Sequence, residues 1–243
     1  MTITGKTDVG RVRSSNQDAF AYTEFGGGNF CAVVCDGMGG HVGGSVASET
    51  AIAAFQKQIS MADEASLKER NIETMLESSV KRANEAVFSR SIVEPSLKGM
   101  GTTIVTVFSY EGSDYVAHVG DSRAYFFDGE CIVRLTKDHS VVQEMIDKGE
   151  RTEEDAKRHP YKHVITRVLG VDPEVSVEVS AIDLTSPGRL LLCSDGLSNM
   201  VTDHELEEFL RLDVDISDLC ELLVAAANER GGNDNITVVV AEI

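Results

Sequence analysis

The sequence predicts an α+β fold in which antiparallel sheet is layered beneath paired helices. Three observations carry that expectation. Strand-like runs follow one another through connections of hairpin length, as at Glu111-Gly112-Ser113 and Asp128-Gly129-Glu130. Helical stretches come in pairs, at 45–59 with 66–88 and at 203–212 with 216–230. The regular strand–helix alternation of a parallel sheet is missing, and connections this short join antiparallel strands. The helix pairs need apolar surfaces to cover, which gives two stacked sheets flanked by helices. Strand order is not readable from one sequence.

Strands are expected early, at Thr2 to Thr7, Ala19 to Glu24 and Asn29 to Cys35. The first helix, Ser45 to Ile59, sets Val46, Ile52, Phe55 and Ile59 at helical spacing. The second, Ser66 to Phe88, does so with Leu67, Met75, Leu76, Val80, Ala83 and Val87. Thr102 to Tyr110 with Tyr115 to Val119, and Ala124 to Phe127 with Cys131 to Leu135, read as two hairpins. Asp128-Gly129 is ordinary turn chemistry. His139 to Gly170 is polar and charged and reads as two short helices with a loop. Val175 to Ile182 alternates, and Arg189 to Ser194 is a buried strand. Asp203 to Leu212 and Ile216 to Arg230 are helices, the last capped by Gly231-Gly232. Ile236 to Ile243 closes the chain as a strand.

The 243 residues are 42% hydrophobic, enough for a sizeable core. No proline-rich, serine-rich or low-complexity linker divides them, so one domain over 1–243 is expected. A net charge of -18 argues against a nucleic-acid or anionic-membrane partner. It also repels a phosphorylated substrate unless bound cations reverse the local field. No apolar stretch approaches the roughly 20 residues that span a bilayer, and Met1-Thr2-Ile3-Thr4-Gly5-Lys6 lacks an apolar signal region. The five cysteines, Cys31, Cys35, Cys131, Cys193 and Cys220, lack zinc-type pairing and mostly lie inside apolar runs. They read as small buried hydrophobes in a reducing compartment, and a cytoplasmic location is expected.

Four aspartates stand where an apolar run meets a glycine- or asparagine-rich turn. Phe30 to Cys35 leads into Asp36-Gly37-Met38-Gly39-Gly40, Tyr115 to Gly120 into Asp121-Ser122, and Leu190 to Ser194 into Asp195-Gly196. Asn233-Asp234-Asn235 leads the other way, into Ile236 to Val240. A short acid at an apolar strand end is penalised by desolvation unless a cation or good hydrogen bonds await it. Any one of these could be turn chemistry; together they point to a hard-metal centre.

The motifs add order to that picture. Val12-Arg13-Ser14-Ser15-Asn16-Gln17-Asp18 precedes Asp36-Gly37-Met38-Gly39-Gly40-His41, then Gly101-Thr102-Thr103, Gly120-Asp121-Ser122-Arg123, Ser194-Asp195-Gly196-Leu197 and Asp234-Asn235-Ile236-Thr237. This ordered set resembles the metal-dependent protein serine/threonine phosphatases of the PP2C (PPM) type in their bacterial form, from Thr4 to Ala241. The resemblance implies a four-layer αββα sandwich, two antiparallel β-sheets flanked by helix pairs. It also implies a site for two Mn²⁺ or Mg²⁺ ions, with a third position available, at one edge of the sandwich. The implied reaction is hydrolysis of phosphoserine or phosphothreonine by in-line attack of a hydroxide bridging two ions. Oxygen donors of this kind suit both metals, and two ions can neutralise the phosphate while activating water.

Carried over by position, the resemblance makes Asp36 the bridge between the ions, with the Gly37 carbonyl completing the second. Asp195 and Asp234 would hold the first ion, and Asp121 with Asp195 the weaker third. Asp18 would act in the surroundings of the second, and Asn235 would orient ligands or water. Arg13 would clamp the phosphate, its guanidinium fork meeting two oxygens at once. Many relatives carry an acid where Gln17 stands, so the second ion should keep more waters and bind less tightly. Eukaryotic relatives place a histidine where Met38 stands; His41 is the candidate acid for the leaving oxygen, with a metal-bound water as the alternative.

His139 to Gly170 matches a flap overhanging the cleft, in which His163 and Arg167 are candidates to touch substrate or to tie the flap down. His118 reads as a satisfied core histidine, and His139, His159 and His204 as surface or cap positions. Phosphorylated proteins are the expected partners, a serine/threonine kinase among them, and the expected state is a monomer. A regulatory module on the same scaffold should have lost a metal aspartate, whereas Asp36, Asp195 and Asp234 are kept. A nucleotide loop lacks its Gly-Lys-Ser/Thr and a serine hydrolase its Gly-x-Ser-x-Gly.

Overall fold

Two antiparallel sheets form the centre of the computed structural model, which describes residues 1–62, 72–157 and 159–243. One sheet runs β1 (Thr2–Asp8), β11 (Ile236–Glu242), β10 (Arg189–Cys193), β7 (Arg123–Phe127), β8 (Ile132–Arg134). The other runs β2 (Asp18–Gly26), β3 (Asn29–Met38), β5 (Ile104–Tyr110), β6 (Ser113–Val119), β9 (Glu178–Ile182), with the short β4 (Gly101–Thr102) on the end of β3. Helices α1 (Gly40–Ser60) and α2 (Ile72–Val93) cover the β3 sheet, and α6 (Asp203–Leu210) and α7 (Ile216–Glu229) cover the β11 sheet. Residues 139–170 carry α3 (Val141–Asp147) and α4 (Glu153–Lys157), and one turn, α5 (Asp195–Ser198), follows β10. The expected sandwich of two sheets between helix pairs is the observed one.

Burial on both faces explains the unbroken apolar runs. In β3, Phe30, Ala32 and Val34 pack between the sheets, while Cys31, Val33 and Cys35 face α1 and α2. In β10 and β11, Leu190, Leu192, Val239 and Ala241 fill the space between sheets, and Leu191, Cys193, Val238 and Val240 face α6 and α7. Successive strand residues point to opposite faces. Fully burying a large apolar side chain contributes roughly 1.5–3 kcal/mol, so a strand clamped on both sides holds its last residue firmly. The pairing then brings ends together: Asp18 stands opposite Asp36 in the β2–β3 ladder, and Ile104 opposite Val119 in β5–β6.

Several expected boundaries move, each for a local reason. The run Thr102 to Tyr110 breaks at Thr103, whose backbone N–H donates to Asp36 O while its hydroxyl accepts from Asp36 N–H. The side chain thus replaces a ladder bond. The β5–β6 turn needs only Glu111 and Gly112, both at positive φ (49° and 77°), as in a two-residue type I′ hairpin. Helix α1 begins at Gly40, five residues before the expected Ser45, because Gly43 and Gly44 lie against Met100 and Gln17, where a side chain would collide. The expected second helix has its first part at 63–71, outside the described residues, and runs on to Val93. Only Glu178–Ile182 of the expected Val175–Ile182 strand pairs. Thr202 caps α6 in a capping box with Glu205, and Gly232 N–H returns to the Ala227 carbonyl to close α7.

Candidate active site

The ends of β3, β6 and β10 and the start of β11 converge on one cleft of about 790 Å³, whose wall includes Arg13, Asp36, Gly37, Asp121, Asp195 and Asp234. All four aspartates that the apolar runs pointed to are therefore in one place. Asp18 lies beneath, buried, its Oδ2 accepting from Ser194 Oγ at 2.7 Å. Ser194 Oγ in turn accepts from Thr237 N–H at 3.0 Å, which ties the β10 and β11 ends to β2.

The electrostatics are those of acids crowded out of water. Burial, then the charge of Asp18 and of Asp195, pushes the Asp36 carboxyl far above the usual carboxylate range. Burial, reinforced by Asp195 and Asp234, raises Asp18 to about 7 despite its hydroxyl partners. Burial with Asp195 and Asp138 raises Asp121 to about 8. Asp195 is raised by burial and by Asp234, and drawn part-way back by Asp36 and His163. Asp18 Oδ1 and Asp195 Oδ1 are buried without a hydrogen-bond partner among the described residues. Two orphaned carboxylate oxygens among mutually repelling acids are what divalent cations would satisfy, and hard oxygen donors suit Mn²⁺ or Mg²⁺. The donor set fits the metals.

Gly37 shows why no side chain is tolerated beside Asp36. A Cβ there would fall 2.1 Å from the Gly44 carbonyl oxygen and 2.5 Å from that of Gln17. Gly37 N–H donates to Gln17 O at 3.1 Å, which fastens the Arg13 loop to β3. Arg13 is half exposed at the rim, its Nη2 on Asp234 Oδ2 at 2.7 Å, and that bond raises its pKa. Gln17 does not stand in as an acid: its amide Nε2 donates to the Gly40 carbonyl at 2.8 Å. Met38 lines the cleft. His41 falls in the first turn of α1, and its side chain lies outside the described residues.

One placement, that of His139, differs from the reading of the sequence, and those of Asn235 and Arg167 add partners to it. Asn235, expected to orient ligands or water, lines the cleft while its Nδ2 donates to Val9 O and Ser15 O and its Oδ1 accepts from Gln17 N–H. It shapes the loop that carries Arg13. His163 lines the cleft, whereas Arg167 sits at the flap root with Nη1 3.2 Å from His139 Nε2. His139 is not at the surface but buried, 6% exposed; His204 is exposed as expected, and His118 is a core histidine with Nε2 on Lys137 O. Cys131 alone of the cysteines is exposed.

Sequence reasoning gave no role to Thr103, which grips Asp36 twice and meets Ser122 Oγ at 2.7 Å, beside Asp121. Its motif, Gly101-Thr102-Thr103, was the available signal. A second hollow, about 490 Å³, is lined by α3 and α4 residues such as Gln143 and Glu153 and shares Asp121 and Asp195 with the cleft.

A buried carboxylate centre at one end of a double antiparallel sandwich defines a metal-dependent phosphatase of the PPM class, and comparison with known proteins agrees. Residues 9–236 match the family Protein phosphatase 2C, and the chain belongs to that family of serine/threonine phosphatases. It is 38% identical over 237 residues to the serine/threonine phosphatase stp of Listeria monocytogenes serotype 4b, covering 98% of this chain and 94% of that one. Protein phosphatase PhpP of Streptococcus pneumoniae is 34% identical over 248 residues, covering 100% and 98%. Among solved structures, Stp1 of Staphylococcus aureus superposes with a TM-score of 0.92 at 33% identity, over 99% and 94% of the two chains. The catalytic domain of PstP, solved in complex with two manganese ions, gives 0.84 at 33% identity over 99% and 97%. No helix among the described residues is long and apolar enough to cross a membrane.

Proposed function

We propose that the chain, as one phosphatase domain with a flap at about 139–170, hydrolyses phosphoserine and phosphothreonine in proteins with two Mn²⁺ or Mg²⁺ ions. The carrying observation is the pair of orphaned buried oxygens, Asp18 Oδ1 and Asp195 Oδ1, beside the raised carboxyls of Asp18, Asp36 and Asp195. Asp36, opposite Asp18 in the β2–β3 ladder and in the cleft wall with Asp195, would serve both ions, with the Gly37 carbonyl beside it. Asp195 and Asp234 would hold one ion, Asp18 would support the other, and Asp121 with Asp195 would accept a third. When bound, the ions supply an activated water for in-line attack on phosphorus and neutralise the phosphoryl oxygens.

The chain's own residues do the rest. Arg13 leaves Asp234 for the incoming phosphate and holds two of its oxygens, a charge-assisted fork that orients phosphorus over the acids. Thr103 and Ser194 keep Asp36 and Asp18 from turning away. His163, over Asp195, faces the substrate from the flap side. His41 is the residue proposed to return a proton to the leaving serine or threonine oxygen. The partners are phosphoproteins, including a serine/threonine kinase, met by a monomer.

The test is phosphate release from a phosphoserine peptide and from p-nitrophenyl phosphate, with Mn²⁺ and after chelation. Release that depends on Mn²⁺ is expected. No release with Mn²⁺ from either substrate would sink the reading.

A further inference from the structure

The flap is rooted on the strand end that carries Asp121, and the root is made of side chains for which the chemistry above has no role. Three attachments join residues 118–123 to 137–139. His118 Nε2 lies 2.8 Å from the Lys137 carbonyl oxygen. Gly120 and His139 exchange two bonds: His139 N–H donates to Gly120 O at 2.9 Å, and Gly120 N–H donates to His139 Nδ1 at 3.1 Å. Arg123 grips Asp138 through Nε at 2.9 Å and Nη2 at 2.6 Å. The His139 carbonyl also accepts from Thr166 N–H at 2.8 Å, so one residue fastens both ends of the flap.

The bond from Gly120 decides the state of the ring. A backbone N–H can only donate, so Nδ1 is the bare nitrogen and the neutral imidazole carries its proton on Nε2. Burial and the His118 ring, stacked 4.5 Å away, push His139 down to about 4, which keeps it neutral at pH 7. Nε2 then donates to Glu178 Oε2 at 3.2 Å, and the Arg167 Nη1 beside it, itself a donor, adds no hydrogen bond.

The same tautomer removes a competing use of the cluster. His118, His139 and Glu178 bring ligand atoms within 4.8 Å of one another. A metal needs an imidazole lone pair, and His139 has none to give: one nitrogen accepts from Gly120 and the other holds the proton. The group is a clasp.

Gly120 is confined as well. Its φ is +110°, and a Cβ would lie 2.5 Å from Thr103 Cγ2, so the peptide is packed against Thr103 and bonded twice to His139. The next residue is Asp121. We infer that His139 is a positioning residue for Asp121: its Nδ1 fixes the Gly120 peptide and thereby sets where the Asp121 carboxylate stands for the ion shared with Asp195. This rests on the reading of Asp121 as a metal ligand. It makes the flap root and the third ion position one mechanical unit.

Calorimetric titration of metal-stripped protein with Mn²⁺ tests it, using Asp121→Asn, His139→Asn and His139→Gln. Asparagine puts an amide oxygen near the place of Nδ1 and can still accept from Gly120; glutamine reaches the place of Nε2 and keeps only Glu178. Asp121→Asn should remove the weakest Mn²⁺ site. His139→Gln should weaken that same site about tenfold, the worth of one buried hydrogen bond, leaving the tighter sites within about twofold. His139→Asn should stay within about threefold of wild type at every site. Equal impairment by Asn and Gln, or a Gln variant that titrates as wild type, would overturn the inference. If Asp121→Asn changes no Mn²⁺ site, the ligand reading of Asp121 fails and the inference with it. Should His139→Gln not fold, ¹⁵N-histidine spectra of the wild type decide: a protonated His139 Nδ1 between pH 6 and 8 refutes the clasp.

Discussion

The floor of the cleft and the flap above it are built in opposite ways. Asp36 stands near the end of a strand packed on both faces, and three hydrogen bonds with Thr102 and Thr103 hold its peptide. Helix α3 in the flap buries none of its side chains, and Tyr161 and Val164 are 57% and 44% exposed. Elements with few buried apolar contacts open most easily, while a clamped strand end does not. Groups that must hold a geometry to a fraction of an ångström belong on the floor, and groups that must adapt to different proteins belong on the flap. His139, at the join, is a buried link between them that the chemistry does not itself use.

That contrast can be broken by mutation, beginning where the effect should be largest. Asp36→Asn should lower kcat by about 10³-fold with Mn²⁺ present, since it removes the charge the ions share. Circular dichroism should remain native, because the amide keeps the shape and loses only a repelling charge. A variant retaining a tenth of the activity would take Asp36 out of the centre.

Arg13→Ala should come next. A charge-assisted bond contributes about 1.5–3 kcal/mol, so kcat/KM for a phosphopeptide should fall roughly 10- to 100-fold. Mn²⁺ affinity should hold or improve, because Asp234 loses a competing cation. Weaker Mn²⁺ binding in this variant would contradict the assigned role.

The floor also predicts a pH response. Without metal, Asp18 and Asp121 rise to about 7 and about 8, above the roughly 3.9 of an unfolded aspartate. Between those values the folded protein keeps protons that the unfolded chain has released, so stability falls as pH rises from about 4 to about 8. Thermal unfolding after chelation should show Tm dropping across that range, and added Mn²⁺ should raise Tm more at pH 8 than at pH 5. A metal-induced gain that is equal at both pH values would mean the carboxylates are not the site of binding.

The flap should give the smallest effects. His163→Ala should raise KM for a phosphopeptide by about two- to fivefold, the range of an exposed charge contact, and leave p-nitrophenyl phosphate turnover unchanged. Arg167→Ala, placed at the root and away from the cleft wall, should change KM by less than about twofold. An Arg167 variant with the larger defect of the two would move that residue into the substrate path.

Much of this was legible in the chain because the signals are local. An apolar run, then Asp, marks a doubly buried strand near its end, and the resemblance carried by the ordered motifs implied that Asp36, Asp121, Asp195 and Asp234 surround one centre. What stayed hidden is set by remote partners. Asn235 is one case: its amide donates to Val9 and Ser15, more than two hundred positions away in the chain. His139 looked exposed because its neighbours are polar, yet it is buried against His118 and Gly120.

Sequence alone determined which residues are acids and that four of them follow or precede apolar strand runs. Only the tertiary structure decided which ends meet, that Thr103 and Ser194 hold them, and which tautomer His139 adopts. The division has a physical cause: apolar periodicity is written along the chain, whereas burial and hydrogen-bond pairing depend on segments that become neighbours only when the sheets close.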